Sequence, residues 1–358
     1  MMFINFLIGL VLLLLGAEIL VRGATRISAY LGISPLIIGL TVVAFGTSSP
    51  EMIVSVKAGL SGNGQIAMGN VVGSNIFNIL FILGLSALVR PLKVFVQLIR
   101  WDVPIMILVT AIFFLSSLNG HFSRIEAGIF FTGLLIYLLF QILMARKEQE
   151  VLKSSGISSS IAPGKRPVVF WLLNSVYVIG GLFLLSVGSN LLIDGAISIA
   201  KILGVSQLLI GLTIVSAGTS LPEVATSLLA SVRGETDIAV GNIVGSNIFN
   251  ILGVSGLAGM VSMQGIIILP ELSHFDMPLM LLVSVACLPI FFSGGEISRR
   301  EGGLFFGYYI LYILYLVFKS MDFSYLSLFN SIILWIAVPI TIILIVYETW
   351  QSVMKKDE

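Results

Sequence analysis

Two copies of one polar motif, each with a glutamate, interrupt apolar stretches of this chain. GTSSPE at Gly46–Glu51 returns as GTSLPE at Gly218–Glu223. A carboxylate inside an apolar membrane segment is costly, so Glu51 and Glu223 mark a functional site by default. Hydroxyl groups stand directly before each glutamate: Thr47, Ser48, Thr219 and Ser220. Carboxylates and hydroxyls offer only oxygen, which predicts a site for a hard cation.

A second repeated motif supplies amide and hydroxyl oxygens. GNVVGSNIFNIL at Gly69–Leu80 returns as GNIVGSNIFNIL at Gly241–Leu252. On a helix, residues four apart share a face. This spacing joins Ser74 to Asn78, Ser246 to Asn250, Thr47 to Glu51 and Thr219 to Glu223.

Both motifs belong to one longer internal repeat. Residues 31–84 align without a gap to residues 203–256, and 31 of the 54 positions are identical. Gly46 with Pro50, and Gly218 with Pro222, predict a break in each apolar segment, because proline removes a backbone donor. Duplicated apolar segments that are interrupted by Gly and Pro point to the ion site of a transporter.

The donor types narrow the choice of cation. Calcium takes about six to eight oxygen ligands in flexible geometry, and sodium accepts fewer of the same kind. Two glutamates supply a charge of −2, which one calcium ion would neutralise. The chain has one cysteine, Cys287, and its histidines, His121 and His274, fall in predicted loops, which argues against zinc or copper.

Composition places these motifs in a membrane protein. Of the 358 residues, 57% are hydrophobic and 10% charged, and the mean hydropathy is +1.08. A net charge of +1 gives no indication of nucleic-acid binding. Helices of about 20 apolar residues span a bilayer, and the apolar runs predict eleven spans, near 3–22, 33–60, 66–89, 102–118, 125–145, 168–200, 205–231, 237–260, 275–293, 302–318 and 325–349.

The polar stretch 146–167 separates five predicted spans from the next five. Five is odd, so the second unit enters the membrane in the opposite sense to the first. With the N-terminus outside, 15 of the 19 Lys and Arg residues lie on the cytoplasmic side, and the outer side keeps four, Lys57, Arg124, Lys201 and Lys319. This bias follows the positive-inside rule. We therefore expect an all-α membrane protein with two inverted repeats of five helices and one extra C-terminal helix.

With these motifs in two inverted halves, the chain resembles the cation/calcium exchanger superfamily, and in particular its prokaryotic sodium/calcium exchangers. The resemblance covers at least residues 1–318. It implies a first exchanger repeat at 1–145, a cytoplasmic linker at 146–167, a second repeat at 168–318, and an additional helix and tail at 319–358. It also implies Na+/Ca2+ antiport by alternating access in a prokaryotic inner membrane, with the C-terminus in the cytoplasm.

The resemblance further implies which residues bind the ions at the membrane centre. It predicts no cofactor, because Ca2+ and Na+ are the transported substrates. A monomer suffices for this function, and a dimer is compatible with it. The ligands carried over by position are Thr47, Ser48, Glu51, Ser74 and Asn78, then Thr219, Ser220, Glu223, Ser246 and Asn250, with the carbonyls of Ala44 and Ser216 as sodium contacts.

Related exchangers usually carry Asp at one of the positions of Asn78 and Asn250. This chain has Asn at both, and Asn cannot ionise. The choice between Na+ and H+ as the driving ion therefore stays open, and H+/Ca2+ exchange is the main alternative. An intramembrane hydrolase with Glu51 and Glu223 as acid and base, or a cation channel, is a remote one.

Other polar residues fit structural roles. Asn70, Asn75, Asn242 and Asn247 lie near glycines, which favours hydrogen bonds between helices. Asp102 begins a predicted helix, and Asp276 does the same in the second half, so both are predicted to be N-terminal caps.

Overall fold

The structure is a computed structural model. It describes residues 2–154, 168–202, 216–292, 294–320, 325–333, 335 and 339. Part of the predicted linker 146–167, the start of the predicted helix 205–231 and most of the predicted helix 325–349 lie outside the described residues. The predicted linker begins within a helix that continues to Ser154.

The described chain is almost entirely helical. Several helices contain a π-helical turn, and each is numbered here as one element. The helices are α1 Met2–Leu31, α2 Pro35–Thr47, α3 Ser49–Leu60, α4 Gly64–Val89, α5 Leu98–Ser117, α6 Arg124–Ser154, α7 Val168–Ile202, α8 Ser216–Gly218, α9 Leu221–Arg233, α10 Thr236–Val261, α11 Leu272–Phe292, α12 Arg299–Ser320 and α13 Leu326–Ile332.

Length and composition confirm a protein with many membrane spans. Among the described helices, eight are long and apolar enough to cross a bilayer. A ninth span is formed by α2 and α3 together, which are bent by 45° at the break between them. The helices that carry the repeated motifs are enclosed by the others: 78% of the apolar window of α4 and 89% of that of α10 are buried.

Two short strand pairs connect the halves as an inverted repeat requires. Strand β1, Leu92–Lys93, lies between α4 and α5, and it pairs with β4, Glu296–Ile297, between α11 and α12. Strand β2, His121–Phe122, lies between α5 and α6, and it pairs with β3, Ile266–Ile267, between α10 and α11. The loop between α4 and α5 therefore meets the loop between α11 and α12, and the loop between α5 and α6 meets the loop between α10 and α11. Because α5 runs from β1 to β2, the two strand pairs lie at opposite ends of the bundle.

The helices α1 and α7 pack closely along their length. A Cβ added at Gly16 would lie 2.8 Å from the Leu185 nitrogen, and one at Gly9 would lie 2.5 Å from the Leu192 nitrogen. Contacts advance along α1 as they recede along α7, so the two helices are antiparallel. Glycines allow such close backbone approach between membrane helices.

The predicted caps at Asp102 and Asp276 are wrong. Asp102 has helical backbone angles, φ −72° and ψ −42°, and its side chain makes no capping bond. Its Oδ1 instead accepts bonds from Tyr137 and Gln141 on α6. Asp276 ends a π-helical turn, Leu272–Asp276, and accepts a bond from the Tyr312 hydroxyl at 2.9 Å. Both aspartates therefore join helices instead of starting them.

Candidate functional site

The breaks that the two Gly-Thr-Ser-x-Pro-Glu motifs predict are present. Ser48 ends α2 with φ −80° and ψ 4°, and Ser220 precedes α9 with φ −88° and ψ 10°. Both serines lie in the sparsely allowed bridge region of backbone space, which active-site residues often adopt. Each break places a glutamate in the first turn of the next helix, Glu51 in α3 and Glu223 in α9. The N-terminal end of a helix favours negative charge there.

Each of the two glutamates accepts a hydrogen bond from a serine of the other repeat. The Ser220 hydroxyl donates to Glu51 Oε1 at 2.8 Å, and the Ser48 hydroxyl donates to Glu223 Oε1 at 3.0 Å. Both carboxylates are buried at 1% exposure. The second oxygen of each, Oε2, has no hydrogen-bond partner among the described residues. The carboxylates of both repeats therefore converge on one buried site.

The threonines of the motifs bond to asparagines across the repeat. Thr47 Oγ1 donates to Asn242 Oδ1 at 3.0 Å, and Thr219 Oγ1 donates to Asn70 Oδ1 at 3.3 Å. The predicted role of Asn70 and Asn242 in joining helices is confirmed. Asn75 differs, because its amide donates to Val71 of its own helix at 2.8 Å.

The serines of the second motif differ between the halves. Ser74 Oγ lies 3.1 Å from Ser220 Oγ, so it joins the cluster around Glu51. Ser246 Oγ is buried and has no partner in the part of the chain that the structure describes.

Asn78 and Asn250 both lie in π-helical turns, Phe77–Leu83 and Asn250–Val254. Such turns occur often at functional sites. Asn78 Nδ2 donates to Asn247 Oδ1 at 3.0 Å, and Asn78 Oδ1 has no partner among the residues that the structure describes. Neither polar atom of the Asn250 side chain has a partner within the described chain.

The backbone positions proposed from the sequence are only partly described. The Ala44 carbonyl accepts the Ser48 backbone N–H at 3.0 Å, and the Thr47 hydroxyl lies 3.4 Å away. Ser216 is the first residue of α8, and its side chain is outside the description. The structure thus brings Thr47, Ser48, Glu51 and Ser74 together with Thr219, Ser220 and Glu223.

Sequence reasoning missed two serines that support the site. Asn70 Nδ2 donates to Ser55 Oγ at 3.0 Å, and Asn242 Nδ2 donates to Ser227 Oγ at 3.0 Å. Ser55 and Ser227 are equivalent in the repeat and follow the two glutamates by four residues. The sequence did hold a signal for them, because serine occupies this position in both repeats.

The donor set fits a hard cation. Buried polar atoms are nearly always hydrogen-bonded in proteins, so a group of unpartnered oxygens needs an explanation. Within the described part of the chain, the buried side-chain oxygens of the predicted ligands that have no partner are Glu51 Oε2, Glu223 Oε2, Asn78 Oδ1, Ser246 Oγ and Asn250 Oδ1. No group of three or more His, Cys, Asp and Glu residues that could hold a metal occurs among the described residues. Oxygens with a charge of −2 suit Ca2+ or Na+ better than a softer metal.

Comparison with known proteins identifies the family. The sequence profile of the sodium/calcium exchanger protein family matches residues 1–143 and 173–318. The chain belongs to the sodium/calcium exchanger family. The resemblance predicted from the motifs is therefore confirmed.

Relatives and solved structures agree with this family. The inner membrane protein YrbG of Escherichia coli is 38% identical over 320 residues, covering 88% of this chain and 96% of YrbG. The sodium/calcium exchanger MaX1 of Methanosarcina acetivorans is 31% identical over 359 residues, covering 89% of this chain and all of MaX1. The sodium-calcium exchanger NCX_Mj, in a structure soaked with 10 mM Na+ and no Ca2+, superposes with a TM-score of 0.75 at 30% identity, covering 88% of this chain and 99% of that chain.

Membership of this family settles the class of function. The chain is an integral, multi-pass membrane protein that acts as a cation/calcium exchanger. It is not an enzyme, so the hydrolase alternative is wrong, and the family's exchange activity also contradicts the channel alternative. Exchangers need no cofactor, because the ions are their substrates.

Proposed function

We propose that this exchanger moves Na+ in one direction and Ca2+ in the other through a single mid-membrane site. The observation that carries the proposal is the reciprocal pair of bonds from Ser48 to Glu223 and from Ser220 to Glu51. The site residues that we propose are Ala44, Thr47, Ser48, Glu51, Ser74, Asn78, Ser216, Thr219, Ser220, Glu223, Ser246 and Asn250.

Charge supports calcium as one substrate. Glu51 and Glu223 are the carboxylates of the proposed site, and both are buried. Two buried like charges are unfavourable unless a cation compensates them. One Ca2+ balances the pair, and so do two Na+ ions. A site that is neutral with either Ca2+ or Na+ bound can carry one kind of ion across the membrane and return with the other.

The name of MaX1 and the name and soaking ions of NCX_Mj favour sodium as the counter-ion over protons. Asn78 and Asn250 agree, since an amide oxygen can bind Na+ but cannot carry a proton. Proton exchange would have to use Glu51 and Glu223, because the other proposed side chains do not titrate near neutral pH.

The two-halved site supports alternating access. Each glutamate is fixed by a serine from the other repeat, so a movement of one half against the other changes the walls of the site on both sides. Transporters with inverted repeats open their central site to one side at a time in this way. One chain supplies both halves, so a monomer suffices for transport in this proposal.

We propose an orientation with the N-terminus outside and the C-terminus in the cytoplasm of a prokaryotic inner membrane. The name of YrbG supports the location. The strand pair β1–β4 gathers Arg90, Lys93, Arg299 and Arg300 at one end of the bundle, where the Arg299 guanidinium also bonds the Val89 carbonyl. This basic end faces the cytoplasm by the positive-inside rule. We also propose the division of the chain that the sequence indicates. The first repeat is 1–145, the linker is 146–167, the second repeat is 168–318, and the additional C-terminal helix and tail are 319–358.

The proposal is tested with purified protein in liposomes loaded with Na+ and diluted into Na+-free buffer with radioactive Ca2+. We expect Ca2+ uptake that requires internal Na+ and ceases when the Na+ gradient is collapsed. Liposomes with only a pH gradient, or only a K+ gradient, serve as controls. Uptake driven by the pH gradient alone would establish proton exchange instead, and uptake without any counter-ion would contradict antiport.

A further inference from the structure

Two hydrogen-bond chains of the same composition flank the proposed ion site. In one, Thr47 on α2 donates to Asn242 on α10, and Asn242 donates to Ser227 on α9. In the other, Thr219 donates to Asn70 on α4, and Asn70 donates to Ser55 on α3. The second chain is the first with every residue replaced by its repeat equivalent. All three members of the first chain are buried at 1% exposure or less.

The direction of these bonds matters for a cation. A threonine hydroxyl has one proton and two lone pairs. A cation can bind the oxygen only through a lone pair, and the proton must then point away from the cation. An acceptor beside the hydroxyl and outside the ion site satisfies this condition.

We propose that Asn70 and Asn242 are positioning residues that draw the hydroxyl protons of Thr219 and Thr47 away from the transported ion. The inference rests on the proposed function, because it takes both threonine oxygens as ligands. Neither asparagine is proposed to touch the ion. Each acts through the threonine whose proton it accepts.

The other acceptors near the Thr47 hydroxyl show why the direction of its proton matters. Besides Asn242 Oδ1 at 3.0 Å, the Thr47 hydroxyl lies 3.4 Å from the Ala44 carbonyl. That carbonyl is itself a proposed sodium ligand. Without Asn242, the Thr47 proton would turn towards the Ala44 carbonyl or the Glu223 carboxylate, which also lies near this hydroxyl, and would compete with Na+ for an oxygen ligand.

The serine at the far end of each chain fixes the amide. Asn242 Nδ2 lies 3.0 Å from Ser227 Oγ, so the nitrogen is held away from Thr47 and the oxygen towards it. If the amide turned over, its N–H would donate to the Thr47 oxygen and use a lone pair that the cation needs. The Ser227 hydroxyl therefore sets the direction of the hydrogen bonds from Thr47 to Asn242 and from Asn242 to Ser227.

A double-mutant cycle tests the inference in liposomes with the full-length chain. The variants are Thr47→Val, Asn242→Leu and the double variant, and the readouts are the half-saturating Na+ and Ca2+ concentrations and the maximal rate. We expect each single change to raise the half-saturating Na+ concentration about tenfold, equivalent to about 1.4 kcal/mol. The double variant should be no worse than Thr47→Val alone, because Asn242 acts through the hydroxyl that this change removes.

Effects that multiply to about a hundredfold in the double variant would overturn the inference, because residues that act independently show additive free energies. An unchanged half-saturation in Asn242→Leu would also overturn it. If Thr47→Val has no effect, Thr47 is not a ligand, and the proposed site fails at that position. If the parent protein shows no Na+-dependent flux, the proposed function fails before any variant is compared.

Two further experiments keep the inference testable if Asn242→Leu does not fold. Asn70→Leu with Thr219→Val repeats the cycle in the other half. Ser227→Ala leaves the asparagine in place and should raise the half-saturating Na+ concentration about two- to fivefold, since it removes one neutral hydrogen bond. Asn174→Leu is the matched control, because this buried asparagine on α7 donates to the Phe170 carbonyl of its own helix at 2.7 Å. We expect that control to leave ion half-saturation unchanged.

Discussion

The Ser48 hydroxyl donates to Glu223 Oε1 over 3.0 Å, so the helix break of one repeat holds the carboxylate of the other. The equivalent bond, from Ser220 to Glu51 at 2.8 Å, completes the exchange. Each repeat thus contributes a glutamate and the serine that orients the opposite glutamate. A single repeat could form neither bond, because each bond joins a serine of one repeat to a glutamate of the other.

The first prediction concerns the charge of Glu51 and Glu223. Replacing either by Gln keeps the shape and the oxygen that accepts the serine bond, but removes half of the site's charge. Loss of one charge from a desolvated ion site costs on the order of several kcal/mol. We expect Glu51→Gln and Glu223→Gln each to abolish Ca2+ exchange in liposomes while size-exclusion profiles stay normal. Exposed Glu271→Gln is the control, and near-normal flux in both site variants would show that the carboxylates are not ligands.

The sequence was sufficient to predict the breaks and the two carboxylates. Gly46 and Pro50 break the helix through local backbone chemistry alone, and the repeat reproduces this in the second half. Counting also predicts an inverted arrangement, because five spans per repeat reverse the direction, and the antiparallel packing of α1 on α7 is consistent with it. These features depend on local chemistry or on arithmetic, so they can be derived without knowledge of packing.

Features that depend on the partner helix could not be derived. Asp102 begins an apolar run, and this position predicts a helix cap. In the structure, Tyr137 and Gln141 on α6 donate hydrogen bonds to its carboxylate. Asn78 and Asn250 occupy equivalent positions in the two repeats. Within the described chain, however, only the Asn78 side chain has a hydrogen-bond partner. A periodic pattern shows which residues lie on the same face of a helix. It does not show which residues of another helix, far away in the sequence, contact that face.

The second prediction concerns orientation. In a Cys287→Ala background, a cysteine at Asn119 should react with an impermeant thiol reagent in intact cells, because Asn119 is exposed at the end of the bundle opposite to the basic loops. A cysteine at Ser158, in the predicted linker, should react only after the cells are opened. Native Cys287 is buried at 1% exposure, so its replacement removes background without exposing a new group. The reverse labelling pattern would contradict the proposed orientation.

The third prediction concerns the buried pair of Asp102 and Gln141. Gln141 Nε2 donates to Asp102 Oδ1 at 2.5 Å, while Asp102 Oδ2 and Gln141 Oε1 have no partner among the described residues. In Asp102→Asn, the new amide nitrogen can donate to Gln141 Oε1 and complete the pair. We expect Asp102→Asn to keep or raise the thermal midpoint in detergent.

The matched change Asp102→Leu should lower the stability, since it leaves Gln141 and the Tyr137 hydroxyl buried without the acceptor they share, at about 1–3 kcal/mol for an unsatisfied group. Equal destabilisation by Asp102→Asn and Asp102→Leu would show that the negative charge itself is required at this position.

The fourth prediction concerns the two neutral amides. Asn78→Asp places a carboxylate oxygen against Asn247 Oδ1, 3.0 Å from the present nitrogen, and so replaces a hydrogen bond by two facing acceptors. The loss should be about 1–3 kcal/mol of stability. Asn250→Asp breaks no bond in the described structure. We expect its thermal midpoint to stay near that of the parent.

Asn250→Asp adds a third acid to the proposed site of Glu51 and Glu223, so its Ca2+ flux should depend on pH more than that of the parent. Flux is compared over about pH 5–9, which brackets the ordinary range of a shifted carboxyl group. Identical pH profiles for parent and Asn250→Asp would place Asn250 outside the coordinating shell.

The last prediction uses two adjacent glycines on α7. A Cβ at Gly181 would lie 2.8 Å from the Gly16 carbonyl oxygen and 2.8 Å from the Leu20 nitrogen, whereas a Cβ at Gly180 would meet no atom within 4 Å. Gly181→Val must therefore push α7 away from α1, and overpacking of this kind costs about 1–3 kcal/mol. Gly180→Val makes the same chemical change one residue away, with the same loss of helix flexibility and no clash. We expect Gly181→Val to lower the thermal midpoint in detergent and to reduce Ca2+ flux, while Gly180→Val matches the parent in both measurements. Equal behaviour of the two variants would show that the close packing of α1 on α7 does not determine stability.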